Sequence, residues 1–227
     1  IVGDTLNQNI TVQNITFDRN NLDALFTNLY GLRGLVTFYK VDGLILEGCF
    51  FVGVGAGLYC TQYCRVNNGL VRRNSFISEK DGVHMGARCT NMVVEDNYLE
   101  TSDDGMTLYA WEWPDCPDIG DCENIVIRNN IDAYRAAGQV GSFIRVLPGV
   151  WDDWTSGREY WQGAPVVNAG NIYRNKSGST KASPVASTVA PVHTSGAVTG
   201  ADGIEWLFVR VGTDKVTTIK GLRLENN

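Results

Sequence analysis

One short segment recurs along this chain and limits its fold more than any other feature. Its pattern is apolar, any residue, apolar, two polar residues and then a turn residue, usually Asn. The copies are Leu44 to Cys49, Gly69 to Asn74, Met92 to Asn97, Ile125 to Asn130 and Leu222 to Asn227, with a weaker one at Ile10 to Ile15. Aligned on the last residue, the steps are 34, 25, 23, 33 and 97 residues. Units of this size stack on one another, because none can bury its apolar face alone. A bare coil of stacked parallel strands takes roughly 20 to 25 residues. The 33- and 34-residue steps then read as a coil plus a loop, and the 97-residue step as further coils, a large insertion, or both.

The alignment extends past the turn. Seven residues after it come Ala56-Gly57-Leu58-Tyr59-Cys60, Asp81-Gly82-Val83-His84-Met85, Asp104-Gly105-Met106-Thr107-Leu108 and Ala137-Gly138-Gln139-Val140. Strand alternation predicts that Leu58, Val83 and Met106 face inward, as do Cys60, Met85 and Leu108. Tyr59, His84 and Thr107 are predicted to face outward. Asn74, Asn97 and Asn130 form a further column, an Asn ladder of the kind that supports stacked parallel strands. The expected fold is all-β, a right-handed parallel β-helix with loop insertions. Coils carrying the candidate site are expected over residues 1–150. An aromatic-rich excursion with a Ser/Thr/Pro/Gly segment follows over 151–215, and a returning coil over 216–227. No capping unit is evident at either end, so a piece of a longer polypeptide is expected.

The net charge of −6 argues against a nucleic-acid partner, which needs clustered Lys and Arg. No apolar run reaches the roughly 18 to 20 residues that span a bilayer, so no membrane insertion is expected, and the first residues lack a signal-peptide pattern. Of the six cysteines, Cys89 and Cys122 share a column with Val41, Val66 and Ile219, and Cys60 one with Met85 and Leu108. These three read as small buried hydrophobes with free thiols. Cys64 and Cys116 read as loop residues. No spacing supports a zinc site, and neither metal nor cofactor is expected.

The repeat sets Asp81 and Asp104 in one column on successive coils. Neighbouring strands lie about 4.8 Å apart, so the two carboxylates should sit side by side, with Asp103 completing a group of three. Stacked like charges cost stability, and the flanking copies carry Ala56 and Ala137 there, so the fold itself does not demand acid. Carboxylate pairs perform glycoside hydrolysis: one protonates the leaving oxygen while another activates water or attacks. An acidic turn or a Ca²⁺ site are the competing readings. Lys80 occupies the column of Asp103 and should pair with it.

Asp81-Gly82 followed by Ser102-Asp103-Asp104-Gly105 resembles the polygalacturonase-type glycoside hydrolases, and is similar to the arrangement in α-1,3-glucanases. The resemblance covers about Gly69 to Asn130 and implies an inverting hydrolase on a pectin-lyase-like solenoid. It implies Asp103 as general acid, with Asp81 and Asp104 holding and activating the water. Glu79-Lys80 stand where polygalacturonases have Asn-Thr, so a galacturonate substrate is not implied. Tyr59, Lys80, His84, Trp111, Trp113, Tyr134 and Arg135 are the candidate substrate-binding residues. The two tryptophans sit in the extra loop after Leu108, and Tyr134 and Arg135 lie one coil beyond the acids.

Ala190-Pro191-Val192-His193-Thr194-Ser195-Gly196, followed by Asp202-Gly203-Ile204-Glu205-Trp206, resembles a segment of bacteriophage tailspikes and depolymerases. That resemblance implies a homotrimer on the virion tail, or an extracellular enzyme. Its polymer would be bacterial capsule, O-antigen or exopolysaccharide. By composition alone, Gly178 to Ala201 reads as a linker. A polysaccharide lyase using Lys80 or Arg135 as base, and a non-catalytic receptor-binding β-helix, are the alternatives to an endo-glycoside hydrolase.

Overall fold

The computed structural model describes residues 6–19, 34–53, 59–110, 119–133, 141–177 and 184–227. Among them the chain is all-β, and no helix is long and apolar enough to cross a membrane. Most strands pair in parallel with a copy one repeat away. Val41 pairs with Val66, Asn67 with Thr90, Thr90 with Glu123 and Cys122 with Ile219. A second parallel sheet follows the turn Asn column and is built from Thr16–Asp18, Phe50–Gly53, Ser75–Ser78, Tyr98–Thr101 and Ile131–Asp132.

Single left-handed residues turn the chain from one strand to the next. One corner column runs Asn9, Gly43, Asn68, Asn91, Asn124 and Gly221, and another runs Asn14, Gly48, Arg73, Asp96, Asn129 and Asn226, all at positive φ. Gly, Asn and Asp tolerate that conformation best, which is why they recur there. A third bend, at Lys40, Arg65 and Arg88, divides the long strands Gly34–Glu47 and Tyr59–Arg72.

Between the sheets lies a core in which Leu44, Leu46, Val71, Phe76, Met92, Val94, Leu99, Ile125 and Ile127 have no exposed surface. Phe17, Phe51 and Phe76 stack along it at 4.8 and 5.1 Å. Cys89 and Cys122 belong to this core. Cys49, Cys60, Cys64, Cys89 and Cys122 are all buried free thiols. Cys64 is not a loop residue, because it lies within the strand Tyr59–Arg72. Cys116 lies outside the described residues.

The Asn ladder is present and buried. The Asn74 backbone N and Nδ2 both donate to Asn97 Oδ1 at 3.0 Å. Asn97 repeats this on Asn130, and Asn130 on Asn227. Each amide also donates to a strand carbonyl, as Asn97 Nδ2 does to Val71 O at 3.0 Å.

Strand register corrects two of the sequence columns. Thr61 pairs with Val83 and Gln62 with His84, so Tyr59 continues the register of Asp81, not that of His84. On the other side Met106 pairs with Ile144, which makes Ser142 the neighbour of Asp104 in place of Ala137. Three residues more than in the next copy precede Tyr59, and five more precede Ser142. A fixed spacing from the turn therefore misaligns both. Tyr59, His84 and Thr107 are also buried, at 8%, 1% and 0% exposure. His84 and Thr107 alternate with the core residues Val83, Met85, Met106 and Leu108, yet the face they occupy is covered.

The 97-residue step holds a largely antiparallel excursion, in which Asp152 and Asp153 alone pair in parallel, with Val166 and Val167, among the described residues. Gly149–Val150 and Val216–Thr217 pair at its neck. Beyond them a five-stranded sheet is built from Asp152–Asp153, Pro165–Asn168, Asn171–Asn175, Glu205–Val211 and Ala197–Thr199. It packs its own core of Tyr160, Ala164, Val166, Tyr173, Ile204 and Trp206. The chain then returns, and Arg223–Glu225 pairs with Cys122–Arg128. Linker composition misleads for residues 184–201. Val185 and Ala186 pair with Tyr160 and Glu159, and the buried Ser187 hydroxyl accepts the Trp154 indole N–H at 3.0 Å. Burial works to raise the Asp202 carboxyl, but hydrogen bonds from the backbone of Val189, Thr188 and Ile204 and from Ser187 outweigh it and hold the carboxyl below its ordinary value.

Candidate active site

Two successive connections between the parallel sheets carry the acids. Asp81 lies between Ser75–Ser78 and Val83–Met85, and Asp103 and Asp104 lie between Tyr98–Thr101 and Met106–Tyr109. Pairing of Val83 with Met106 stacks Asp81 beside Asp104. One carboxylate oxygen from each of Asp81, Asp103 and Asp104 lies within 4.8 Å of the others.

Each carboxylate has different partners. Asp81 is 4% exposed; its Oδ2 accepts from Thr107 Oγ1 at 2.9 Å and meets His84 Nδ1 at 2.7 Å. The His84 ring is stacked between Tyr59 and Tyr109, with centroids 3.9 and 5.0 Å away. Asp104 is 2% exposed; it accepts from the Ser142 backbone N–H at 2.8 Å and from Arg145 Nη1 at 3.2 Å. The Asp103 side chain is the most open of the three, 25% exposed, with Lys80 Nζ 2.8 Å from its Oδ2. The hydrogen bond to Asp104 is the largest influence on the Arg145 guanidinium and holds it above its ordinary value. Gly141 has a steric reason for being glycine. A Cβ there would fall 2.1 Å from the carbonyl carbon of Asp103, so only glycine lets the segment at Ser142 close against the acids.

Three negative groups thus share a corner with two cations, Lys80 and Arg145. The oxygens are close enough together to surround a cation. All three carboxylates, however, are already engaged by protein donors, so the donor set does not require a metal. Chemically the corner offers one open carboxyl beside two held ones.

The structure brings Asp81, Asp103, Asp104, Lys80, His84 and Tyr59 together. His84 is a buried partner of Asp81 and not the outward-facing substrate contact expected from alternation. Trp111, Trp113, Tyr134 and Arg135 lie outside the described residues, as do Ala56 and Ala137. Sequence reasoning missed Ser142, Arg145, Thr107 and Tyr109 as site neighbours. Arg145 was findable: it alternates with Ile144 and Val146 in a strand-like run, and the true register sets it opposite Thr107. No protein-family model matches the chain, and no curated protein matches it in sequence.

Proposed function

We propose that the chain forms a right-handed parallel β-helix whose acid corner is the site of an endo-glycoside hydrolase acting on bacterial surface polysaccharide. The observation that carries this reading is the set of three carboxylates within 4.8 Å of one another, two nearly buried and one open. Asp103, the open one, can reach a glycosidic oxygen and protonates it. Asp81 and Asp104, fixed by Thr107, His84, Ser142 and Arg145, orient the attacking water and take the proton it loses as it adds to the anomeric carbon. Lys80 must release Asp103 before that carboxyl can carry a proton, and a bound polymer competing for the ammonium provides the occasion. Parallel passes of 22 or 23 residues, such as Thr61 to Val83 and Ser75 to Tyr98, support the β-helix reading. The segment from Ala190 to Trp206 supports a virion-tail or extracellular depolymerase and a homotrimeric assembly.

The test is to incubate the protein with a panel of capsular and O-antigen polysaccharides and follow both new reducing ends and ultraviolet absorbance. Reducing ends without absorbance, lost in an Asp103→Asn, Asp104→Asn double variant, support the hydrolase. Absorbing unsaturated products would replace it with a lyase. A polymer that is bound and never shortened would replace it with a receptor-binding protein.

A further inference from the structure

Lys80 and Arg145 do not balance the charge of the acid corner. Among the described residues three carboxylates face these two cations. Lys80 pairs with Asp103 and Arg145 with Asp104, and the group in reach of Asp81 is His84 Nδ1 at 2.7 Å. We propose that His84 is the third cation, an imidazolium that holds Asp81 ionised and in place. It is then a positioning residue of the hydrolase, a role that rests on the reading above.

Asp81 Oδ2 accepts from both Thr107 Oγ1 and His84. A carboxylate only accepts, so Nδ1 donates, and the charge of the ring turns on its second nitrogen. Both side chains are nearly out of water, His84 at 1% and Asp81 at 6% exposure. Burial disfavours a charged imidazole, while an opposite charge at hydrogen-bond distance favours it. Two further observations decide for the charge. With a neutral His84, Asp81 would be a buried anion lacking a counter-charge, an arrangement that is costly. The imidazole also lies between two aromatic faces, 6° from parallel to Tyr59 and 20° to Tyr109, with centroids 3.9 and 5.0 Å away. A cation within about 6 Å of an aromatic centroid is attracted to that face, more strongly where water is excluded. The cross-strand neighbours of His84, Gln62 and Thr107, are neutral, and Cys64, two residues past Gln62, is a buried thiol. Asp103 and Asp104 favour the charge, and the opposing Lys80 and Arg145 are each paired with one of them. Loss of the His84 proton replaces a charge-assisted hydrogen bond by a weaker one and loosens the carboxylate that orients the water.

The chain has two histidines, and ring ¹⁵N shifts in an NMR titration report the charge of each directly. With the His84 signals assigned through His193→Gln, the expected result is an imidazolium at pH 7 that titrates above the ordinary value of about 6.5. Asp81→Asn should lower that midpoint by about one pH unit or more. On a cleaved polymer, kcat should fall on the alkaline side with the same midpoint. His84→Gln keeps a donor but no charge; it should remove this alkaline limb and lower kcat roughly 10- to 100-fold with KM nearly unchanged. A histidine that only fills space would leave the pH profile unmoved, and that result overturns the positioning role. Neutral-ring shifts at pH 6, in protein that still cleaves polymer, overturn the third cation and leave the hydrolase standing. A charged His84 in protein that cleaves nothing keeps the third cation and removes the hydrolase.

Discussion

Two corners of the stacked coils hold buried columns of polar side chains, and they solve the burial problem in opposite ways. At the Asn corner every amide offers both a donor and an acceptor, so each copy satisfies the next, from Asn74 through Asn97 and Asn130 to Asn227. At the Asp corner the side chains can only accept, so Asp81 and Asp104 cannot bond to each other. Their partners come from elsewhere: Thr107, His84, the Ser142 N–H and Arg145. Only two members of the column that runs Tyr59, Asp81, Asp104 and Ser142 are acidic. The Asn corner is a stacking device carried by four successive copies, Asn74, Asn97, Asn130 and Asn227. The Asp corner is local, and partners from outside its own acidic pair hold it.

This contrast predicts separable losses. The largest is in activity: Asp103→Asn with Asp104→Asn should lower reducing-end release about 10³-fold or more, since positioned acid–base groups contribute roughly 10² to 10⁴. The same variant should unfold in denaturant at nearly the native midpoint, because like charge is removed. Asn97→Ala should do the reverse. It strips several buried hydrogen bonds at once and should cost about 2–4 kcal/mol, read by urea unfolding, with residual activity proportional to folded protein. Less stability lost at Asn97 than at the acids would break the comparison.

A smaller effect should appear on acidification. The folded Asp202 carboxyl lies below its unfolded value of about 3.9. As pH falls, the unfolded chain therefore takes up this proton first, and the stabilisation present above that pH is lost as pH drops through the folded value. Asp202→Asn should flatten that acid limb of a stability-versus-pH curve and leave the slope near neutrality unchanged. The smallest effect belongs to the exposed Asn91. Its Nδ2 reaches Asn67 and Asn68, each at 3.2 Å, on the solvent side, and Asn91→Gly, which removes these bonds without straining the left-handed backbone, should stay within about 0.5 kcal/mol. A cost as large as that of Asn97 would show that stacking alone, and not burial, gives the ladder its value.

The parts of this architecture that repeat were legible in the sequence. Period-2 alternation and a recurring turn residue were enough to stack Asn74, Asn97 and Asn130, to pair Cys89 with Cys122, and to set Asp81 against Asp104 with Lys80 beside Asp103. What failed was whatever depended on unequal coil length. Extra residues ahead of Tyr59 and Ser142 shifted both columns, so Arg145 went unseen at Asp104 and Tyr59 was matched to the wrong neighbour, although its ring still stacks on His84. Burial of His84 was not legible either, because alternation tells which face a residue occupies and not whether that face is covered. The excursion was expected over 151–215, but its antiparallel sheet escaped for a related reason. Its sheet joins Asn171–Asn175 to Glu205–Val211 across a Ser/Thr/Pro-rich stretch, and composition carries no signal for pairing at that separation.

The most direct test of the central claim is the molar mass of a bacterial polysaccharide that the protein demonstrably binds, measured by light scattering before and after incubation. A steep early fall in mass, as internal cleavage gives, is expected with the native protein, and no fall with the Asp103→Asn, Asp104→Asn protein bound to the same polymer. An unchanged mass with the native protein, or an equal fall with the variant, would contradict that claim.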